Sequence, residues 1–145
     1  MTGFALGPMP GTSVAEAADI IISETDLPAI PQLPDRGLGS DAVGRTASML
    51  EAINIDRGPR SWRMTARPQL LTRRTWDRLE RDLDEVQGVW GETVSHIKVQ
   101  ALGPWSLAAS IELSDGHRVF TDSSAFAELS DALLHGLHTH AHDVA

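Results

Sequence analysis

The stretch "KVQALGPWSLAASIEL", residues 98–113, decides the fold. Its first part is apolar after the charged Lys98 and is typical of a buried strand, which we expect to span residues 96–103. Gly103 and Pro104 then form a turn into an apolar helix over residues 105–113. A strand that leads through a tight turn into a helix is the repeating unit of α/β folds. The stretch therefore predicts parallel strands with flanking helices.

A second unit of the same kind lies at the beginning of the sequence. Residues 2–7 are expected to form a short buried strand, which a tight loop joins to a helix over residues 14–25. Ser13 and Glu16 have the spacing of a helix capping box, with Thr12 as the alternative cap. The two units together predict strand–helix repeats.

Hydrophobic periodicity predicts three further helices. Residues 72–91 carry an apolar seam with spacings of 3, 4, 3 and 4, ending at Gly91. The last helix is expected from about Ser123 to His142. A short helix is expected from Asp41 to about Ile53, with Ser40 as its cap. The last helix has an apolar stripe which, like the seam of residues 72–91, indicates that the helix is buried on one side. The seam consists of Trp76, Leu79, Leu83, Val86 and Trp90, and the stripe of the last helix consists of Phe126, Leu129, Leu133, Leu137 and Ala141.

The segments between these helices are less regular. Residues 25–40 contain three prolines and two glycines and are predicted to form an extended loop. A strand is expected at residues 61–65. We expect one domain over residues 1–145. Two parallel strands are too few for a covered sheet, so the sequence predicts either part of a larger barrel or a chain that pairs with other copies or a partner.

Composition narrows the classes of function. The absence of cysteine excludes disulfides, thiolate nucleophiles and cysteine-ligated zinc within these 145 residues. A net charge of −8 argues against general affinity for nucleic acid. The first residues lack the basic and apolar regions of a signal peptide, and the longest apolar run, "DIIIS", is too short to span a bilayer. We therefore expect a cytoplasmic protein that binds neither nucleic acid nor a membrane.

Three stretches, "FALGPMPGT" (residues 4–12), "RGLGSDAVGRT" (36–46) and "KVQALGPWSLAASIEL" (98–113), together resemble the beginning of a known catalytic barrel. The family is cobalamin-independent methionine synthase, and the likeness is greatest to its short, single-barrel actinobacterial members. That family belongs with the uroporphyrinogen decarboxylase-like (β/α)₈ barrels. The resemblance covers nearly all of this chain and about the first third of a family barrel. It implies a partial (β/α)₈ TIM-barrel-like unit.

The resemblance also implies an activity. Family members transfer a methyl group from 5-methyltetrahydrofolate to homocysteine, and a zinc ion held by His, Cys, Glu and Cys activates the thiol. Those ligands lie on later strands of the family barrel, so the resemblance implies no zinc and no catalytic residue within this chain. Zinc and 5-methyltetrahydrofolate are expected only for a complete family member. The alternative function is a non-catalytic α/β protein that oligomerises or binds a partner, with a small-molecule ligand as a further expectation.

Six residues are candidates for substrate binding, because ligands of barrel enzymes meet the loops after the carboxyl ends of the strands. They are Gly7, Pro8, Asp41, Gly103, Pro104 and Trp105. Gly7 and Gly103 allow a ligand to approach the backbone, and Asp41 matches an acidic family position. Pro8 stands where the family has a serine and therefore lacks its hydroxyl. Arg36 falls near a family glutamate and has the opposite charge.

Trp105 has two interpretations, either stacking on a flat ring such as a pterin or packing in the core.

The histidines of "HGLHTHAH" also have two interpretations, a metal site or a solvated helix end. His135, His138 and His142 lie at i, i+3 and i+7, and the second and third have the spacing of a two-histidine metal site. Without a nearby matching carboxylate, a solvated helix end that binds Zn²⁺ or Ni²⁺ adventitiously is the favoured interpretation.

Eight of the twelve basic residues lie between Arg57 and Arg81. On the helix they alternate with carboxylates, which predicts i, i+4 ion pairs on an exposed face. The predicted pairs are Arg73–Asp77, Arg78–Asp82 and Arg81–Glu85. Four arginines outside that helix have fewer acidic neighbours and are the better candidates for contact with an anionic ligand, namely Arg57, Arg60, Arg63 and Arg67.

Overall fold

The structure, a computed structural model, describes residues 1–50 and 53–145 as a mixed α/β arrangement. Within these residues there are five α-helices: α1 (Val14–Glu24), α2 (Ala42–Ala47), α3 (Leu70–Trp90), α4 (Pro104–Ser110) and α5 (Ser123–Val144). There are three strands: β1 (Asn54–Arg57), β2 (Trp62–Thr65) and β3 (Ile111–Glu112). Two 3₁₀ turns lie at Pro34–Arg36 and Val119–Thr121.

The three strands form one small sheet in the order β1-β2-β3. β2 confirms the strand predicted at residues 61–65, whereas β1 was not predicted. β2 and β3 are parallel, but β1 and β2 are antiparallel, so the expectation of parallel strands alone is wrong. The physical reason is the short connection between β1 and β2, where Gly58 N donates to Ser61 O at 2.7 Å. A turn of this length can join only antiparallel strands.

A second set of extended segments, here called the parallel layer, consists of residues 4–8, residues 27–32 and the backbone around Lys98. Each segment meets its neighbour in single parallel bridges, not in a continuous ladder. The bridges are Phe4–Leu27, Pro8–Gln32 and Ala29–Lys98. The middle segment therefore separates the two stretches that were predicted to be strands, and all three run in the same direction.

Residues 27–33 are extended and belong to no named strand, as predicted for the loop at residues 25–40, but their burial and their bridges were not predicted. Residues 28–33 are all buried, and they form the middle of the parallel layer. Prolines are tolerated there because the backbone hydrogen bonds to the neighbouring segments use other groups. The N–H groups of Ile30 and Gln32 donate, and the carbonyl oxygens of Pro28 and Gln32 accept.

The two outer segments are less buried than predicted. Residues 2–6 are largely exposed, with Phe4 at 53% and Leu6 at 80% exposure, and residues 97–102 are only half-buried. Neither stretch is one of the three strands, since each forms only isolated bridges, so the prediction of two buried strands is wrong both in its burial and in its continuous pairing. Helices α1 and α3 pack on one side of the parallel layer. On that side, the layer's own side chains Ile97 and Val99 pack against the apolar residues of these helices. No other described element covers Phe4 and Leu6.

The interior contains two clusters of buried apolar side chains. The first, cluster A, joins α1, residues 30–33 and the carboxyl-terminal half of α3. Its buried members are Val14, Ala17, Ala18, Ile21, Ile30, Leu33, Val86 and Trp90. The second, cluster B, joins the β-sheet to α4 and α5. Its largest buried members are Leu50, Ile53, Ile55, Leu107, Ile111, Val119, Leu129 and Leu133.

The long helices follow their sequence signals. Ser13 Oγ accepts from Glu16 N at 3.2 Å, which confirms the predicted start of α1. α3 ends at Trp90, and Gly91 follows it with a φ of 61°, as the pattern predicted. α5 begins after Asp122, whose side chain accepts from Ala125 N. Local periodicity and capping therefore determine these three helices.

The short helices depart from their predicted bounds. α2 ends at Ala47 instead of near Ile53, and part of the predicted remainder, residues 51–52, lies outside the described residues. Its cap is Asp41, not Ser40. α4 ends at Ser110 instead of Leu113, because the next two residues enter β3 and pair with β2.

Candidate functional site

The carboxyl ends of the parallel layer meet at one edge, here called the carboxyl edge. It comprises residues 7–11, residues 32–37 and residues 100–103. Gly11 N donates to Asp35 Oδ2 at 2.9 Å, and Gln100 Nε2 donates to Ile30 O at 2.5 Å. Because parallel segments end on the same side, the two predicted turns at Gly7 and Gly103 lie at this edge.

Gly7 and Pro8 lie in the first turn of the carboxyl edge. Gly7 has a φ of 128°, and a Cβ at this position would overlap the side-chain amide of Gln100. Only glycine fits both conditions. Pro8 is exposed and forms a bridge with Gln32, whose N–H donates to Gly7 O at 3.0 Å. The backbone here is held close to two neighbouring segments.

Gly103, Pro104 and Trp105 form the other turn and the first residues of α4. Gly103 is the residue before the helix, and its carbonyl oxygen accepts from Leu107 N at 3.0 Å. Pro104 occupies the first helical position. An N–H group there would have no partner within the helix, so the lack of one in proline costs no hydrogen bond. No atom of residues 1–50 or 53–145 lies within 4 Å of a Cβ built on Gly103, so these residues leave the space beside it open.

Trp105 does not lie in the core, since its side chain is 63% exposed. Its ring centroid lies 4.8 Å from that of Phe126 and 5.4 Å from that of Phe120. Phe120 is itself 49% exposed. These three rings form an aromatic patch that remains accessible for stacking.

Asp41 holds a loop in place. Its Oδ1 accepts from Gly39 N at 3.1 Å and its Oδ2 accepts from Gly44 N at 3.2 Å. Helix α2, which it caps, contacts the carboxyl edge through Thr46, whose Oγ1 accepts from Leu102 N at 3.0 Å. Asp41 is therefore a positioning residue for α2 in this structure.

A group of buried charges, which the sequence did not predict, lies between the loop at residues 34–41, α2 and α3. Arg36 donates to both carboxylate oxygens of Asp82, at 2.8 and 2.6 Å. This hydrogen bonding raises the pKa of Arg36, against the effect of burial. Arg45 lies beside the pair, and burial lowers its pKa to about 10. We call Arg36, Arg45, Arg78 and Asp82 the arginine cluster.

Asp82 of α3 has a different partner from the one that its helical spacing predicts. The predicted pair with Arg78 is wrong, because Asp82 pairs with Arg36 and Arg78 Nη1 donates to Ser40 Oγ at 2.7 Å. Arg36 and Asp82 lie 46 positions apart in the sequence, so helical spacing could not indicate this contact. Among the four arginines predicted to contact an anion, Arg60 instead lies 3.4 Å from the buried carboxylate of Glu112.

The histidines of α5 fall into two environments. His135, His138 and His142 are exposed, whereas His140 is 4% exposed. Burial lowers the pKa of His140, and nearby Arg45 lowers it further. In residues 1–50 and 53–145, no three His, Asp or Glu side chains are grouped so that they could hold a metal ion. His140 was not predicted as distinct because its neighbours come from other elements.

Comparison of the chain with protein-family models, with curated proteins and with solved structures gave no match. In the described part of the chain, every helix is too short or too polar to cross a bilayer.

Proposed function

We propose that this chain is part of a methionine synthase-like (β/α)₈ barrel whose remaining strands lie outside these 145 residues. The observation that carries the proposal is the parallel layer. Its three segments follow one another in space in the order in which they occur in the chain. Along the chain, α1 connects the first two segments, and α2, the antiparallel pair β1–β2 and α3 connect the second and third. Helical connections between parallel segments are the arrangement of consecutive units in such a barrel, to which the pair β1–β2 is an insertion.

The two sides of the parallel layer support the same proposal. One side packs on helices, as the outside of barrel strands does. The other side presents Phe4, Leu6, Lys98 and the neighbouring Gln100. Lys98 Nζ donates to Leu6 O at 3.1 Å and lies 5.6 Å from the centre of the Phe4 ring. In a closed barrel these side chains face the interior, where further strands cover them.

The proposed activity is methyl transfer from 5-methyltetrahydrofolate to homocysteine by the completed barrel. Within this chain, Gly7 and Gly103 line the carboxyl edge, and Trp105 offers an exposed ring on which a pterin can stack. The described residues do not form a metal site, and the chain has no cysteine. We therefore assign zinc binding and activation of the thiol to the remaining part of the barrel.

A binding titration tests the proposal. We expect 5-methyltetrahydrofolate to quench tryptophan fluorescence, and we expect Trp105→Leu to weaken the binding about tenfold, as loss of one stacking partner implies. The matched control is Trp76→Leu, which removes a half-buried ring from α3 and should leave the affinity unchanged. Absence of binding of both 5-methyltetrahydrofolate and homocysteine, by fluorescence and by calorimetry, would contradict the proposal.

The exposed apolar side chains Phe4 and Leu6 favour a second function. A chain that only associates, with copies of itself or with another protein, would bury the same side of the parallel layer. Such a protein would form a stable assembly and would bind neither ligand. The same titration, combined with a measurement of molar mass, distinguishes the two functions.

A further inference from the structure

We propose that the arginine cluster binds a compact anion, either a halide ion or one oxygen atom of a phosphate or carboxylate group. The site is enclosed by the loop at residues 34–41, by α2 and by α3. It does not depend on the proposed methyl transfer, because none of the groups that form it belongs to the two turns at Gly7 and Gly103.

The charges of the cluster do not balance. Three arginines, Arg36, Arg45 and Arg78, line one small cavity together with a single carboxylate among the described residues, that of Asp82. Arg36 occupies both oxygens of Asp82. Arg78 donates to neutral acceptors, the Leu38 carbonyl and the Ser40 hydroxyl. The residues that line the cavity therefore carry an excess of positive charge, and the exposed carboxylate of Glu85 acts on Arg36 from outside this lining.

Arg45 is the side chain that most requires a partner. It is 5% exposed, and its Nε is buried without a hydrogen-bond partner among the described residues. A buried guanidinium N–H that has lost water and gained no acceptor is unfavourable, and Asp82 acts on Arg45 only as a nearby charge. An anion between Arg45 and its neighbours would supply both the acceptor and the missing charge.

Ser40 provides a second donor. Its hydroxyl oxygen accepts from Arg78, which leaves the hydroxyl hydrogen available to an anion. The other two hydroxyls in the cavity are already used: Ser48 donates to Arg45 O and Thr75 donates to Thr72 O. Ser40 is 5% exposed, so its hydrogen also lacks bulk water. A cation and a hydroxyl donor that converge are a combination typical of anion sites.

The size of the cavity limits the ligand. Its volume is about 10 Å³, which is room for one water-sized sphere. A whole phosphate group therefore does not fit inside, but one of its oxygens does; a chloride ion, which is larger than a water molecule, enters if the side chains that line the cavity move slightly apart. The expected class of ligand is an anion that presents a single compact atom.

Thermal unfolding at constant ionic strength tests the site. Chloride, phosphate or acetate replaces a bulky sulfonate, and the melting temperature is followed against the concentration of each anion. We expect a saturable increase with at least one of the three, since binding to the native state alone stabilises it. Response to chloride identifies a halide site, and response only to phosphate or acetate identifies an oxyanion site.

Variants locate the effect. Arg45→Met should remove the saturable increase, whereas Arg74→Gln, which removes an exposed arginine from α3, should retain the dissociation constant of the wild type. Should Arg45→Met fail to fold, Arg78→Gln replaces it, and we expect the anion to bind about tenfold more weakly. Equal melting temperatures in all four anions, or an unchanged response in the Arg45 and Arg78 variants, would overturn the proposal.

Discussion

Asp82 shows, at the scale of the residue, how tertiary contact overrides helical spacing. Its carboxylate is 6% exposed and lies 2.6 Å from Arg36 Nη2. Arg78, four positions before it on α3, bonds to Ser40 instead. A fully formed bidentate pair with a buried partner outweighs an exposed i, i+4 pair, which contributes only a few tenths of a kcal/mol.

We expect Asp82→Asn to lower the free energy of unfolding by about 1.5–3 kcal/mol, because the change leaves the half-buried Arg36 without its counter-charge. Urea denaturation measures the loss. Asp84→Asn, which changes an exposed carboxylate on the same helix, serves as the control and should have almost no effect. A loss for Asp82→Asn as small as that of the control would contradict the buried pair.

His140 predicts a dependence of stability on pH. Burial lowers its pKa below the ordinary value of 6.5; Arg45 of α2 acts in the same direction, and Asp143 of α5 acts against it. Between the lowered pKa and 6.5 the unfolded chain binds more protons than the folded chain, so stability rises with pH across this window.

Urea denaturation at several pH values from about 5 to about 8 measures this slope. We expect His140→Gln to reduce the increase in stability across the window. The control is His138→Gln, which changes an exposed histidine of the same helix and should keep the slope of the wild type. If both variants retain an equal slope, another group is responsible.

At the scale of the element, two glycines inside helices have opposite packing environments. A Cβ on Gly136 would overlap the carbonyl oxygen of Met49, so α5 lies directly against the backbone that follows α2. In the described part of the chain, no atom lies within 4 Å of a Cβ on Gly88 in α3. The first glycine is required by packing, and the second only lowers helix propensity.

The pair gives a matched prediction. Gly136→Ala should reduce the free energy of unfolding by about 1–3 kcal/mol through overpacking. Gly88→Ala should increase it by about 0.5–1 kcal/mol, because alanine is the better helix former. Thermal or urea unfolding reads both changes. A Gly136→Ala variant as stable as the wild type would mean that α5 does not lie against Met49 as described, whatever the result for Gly88→Ala.

Elements that depend on local signals were predictable, and those that depend on tertiary contact were not. α1, α3 and α5 carry their own periodicity and caps. The sequence of residues 27–32 resembles a loop, because its prolines lack the backbone N–H groups that a strand normally uses for hydrogen bonds. Its bonds come from Gly7, Met9 and Lys98, which are distant in sequence. β1 is short and polar at its end and gave no signal.

The candidate site was predictable only in part, for the same reason. The turns at Gly7 and Gly103 follow apolar stretches and so could be located from the sequence. The sequence predicts a ligand contact for Asp41, and the structure adds that its carboxylate caps α2, a contact that depends on the position of the helix start. The arginine cluster gave no sequence signal, since its members come from three elements that meet only in the folded chain.

At the scale of the whole molecule, the parallel layer has one covered side and one open side. Leu6, at 80% exposure, is a large apolar side chain on the open side. We expect the purified chain to have a molar mass above its monomeric 15.7 kDa in light scattering, because association would cover this side. Leu6→Lys should shift the chain toward the monomer.

The control for this prediction is Leu134→Lys. Leu134 is 67% exposed on α5, so the substitution adds the same charge to an unrelated surface and should leave the molar mass unchanged. A wild-type chain that is monomeric throughout the concentration series, or an equal effect of both variants, would show that the open side does not drive association.

The division of the interior into clusters A and B has a consequence for how the chain opens. α1 and α3 depend on cluster A, whereas α4 and α5 depend chiefly on cluster B. Because each pair of helices packs on its own cluster, the amide protons of one pair can lose their protection from solvent while those of the other pair keep it. Native-state amide exchange should accordingly divide the slowest protons into two groups with separate opening energies, one for each pair of helices.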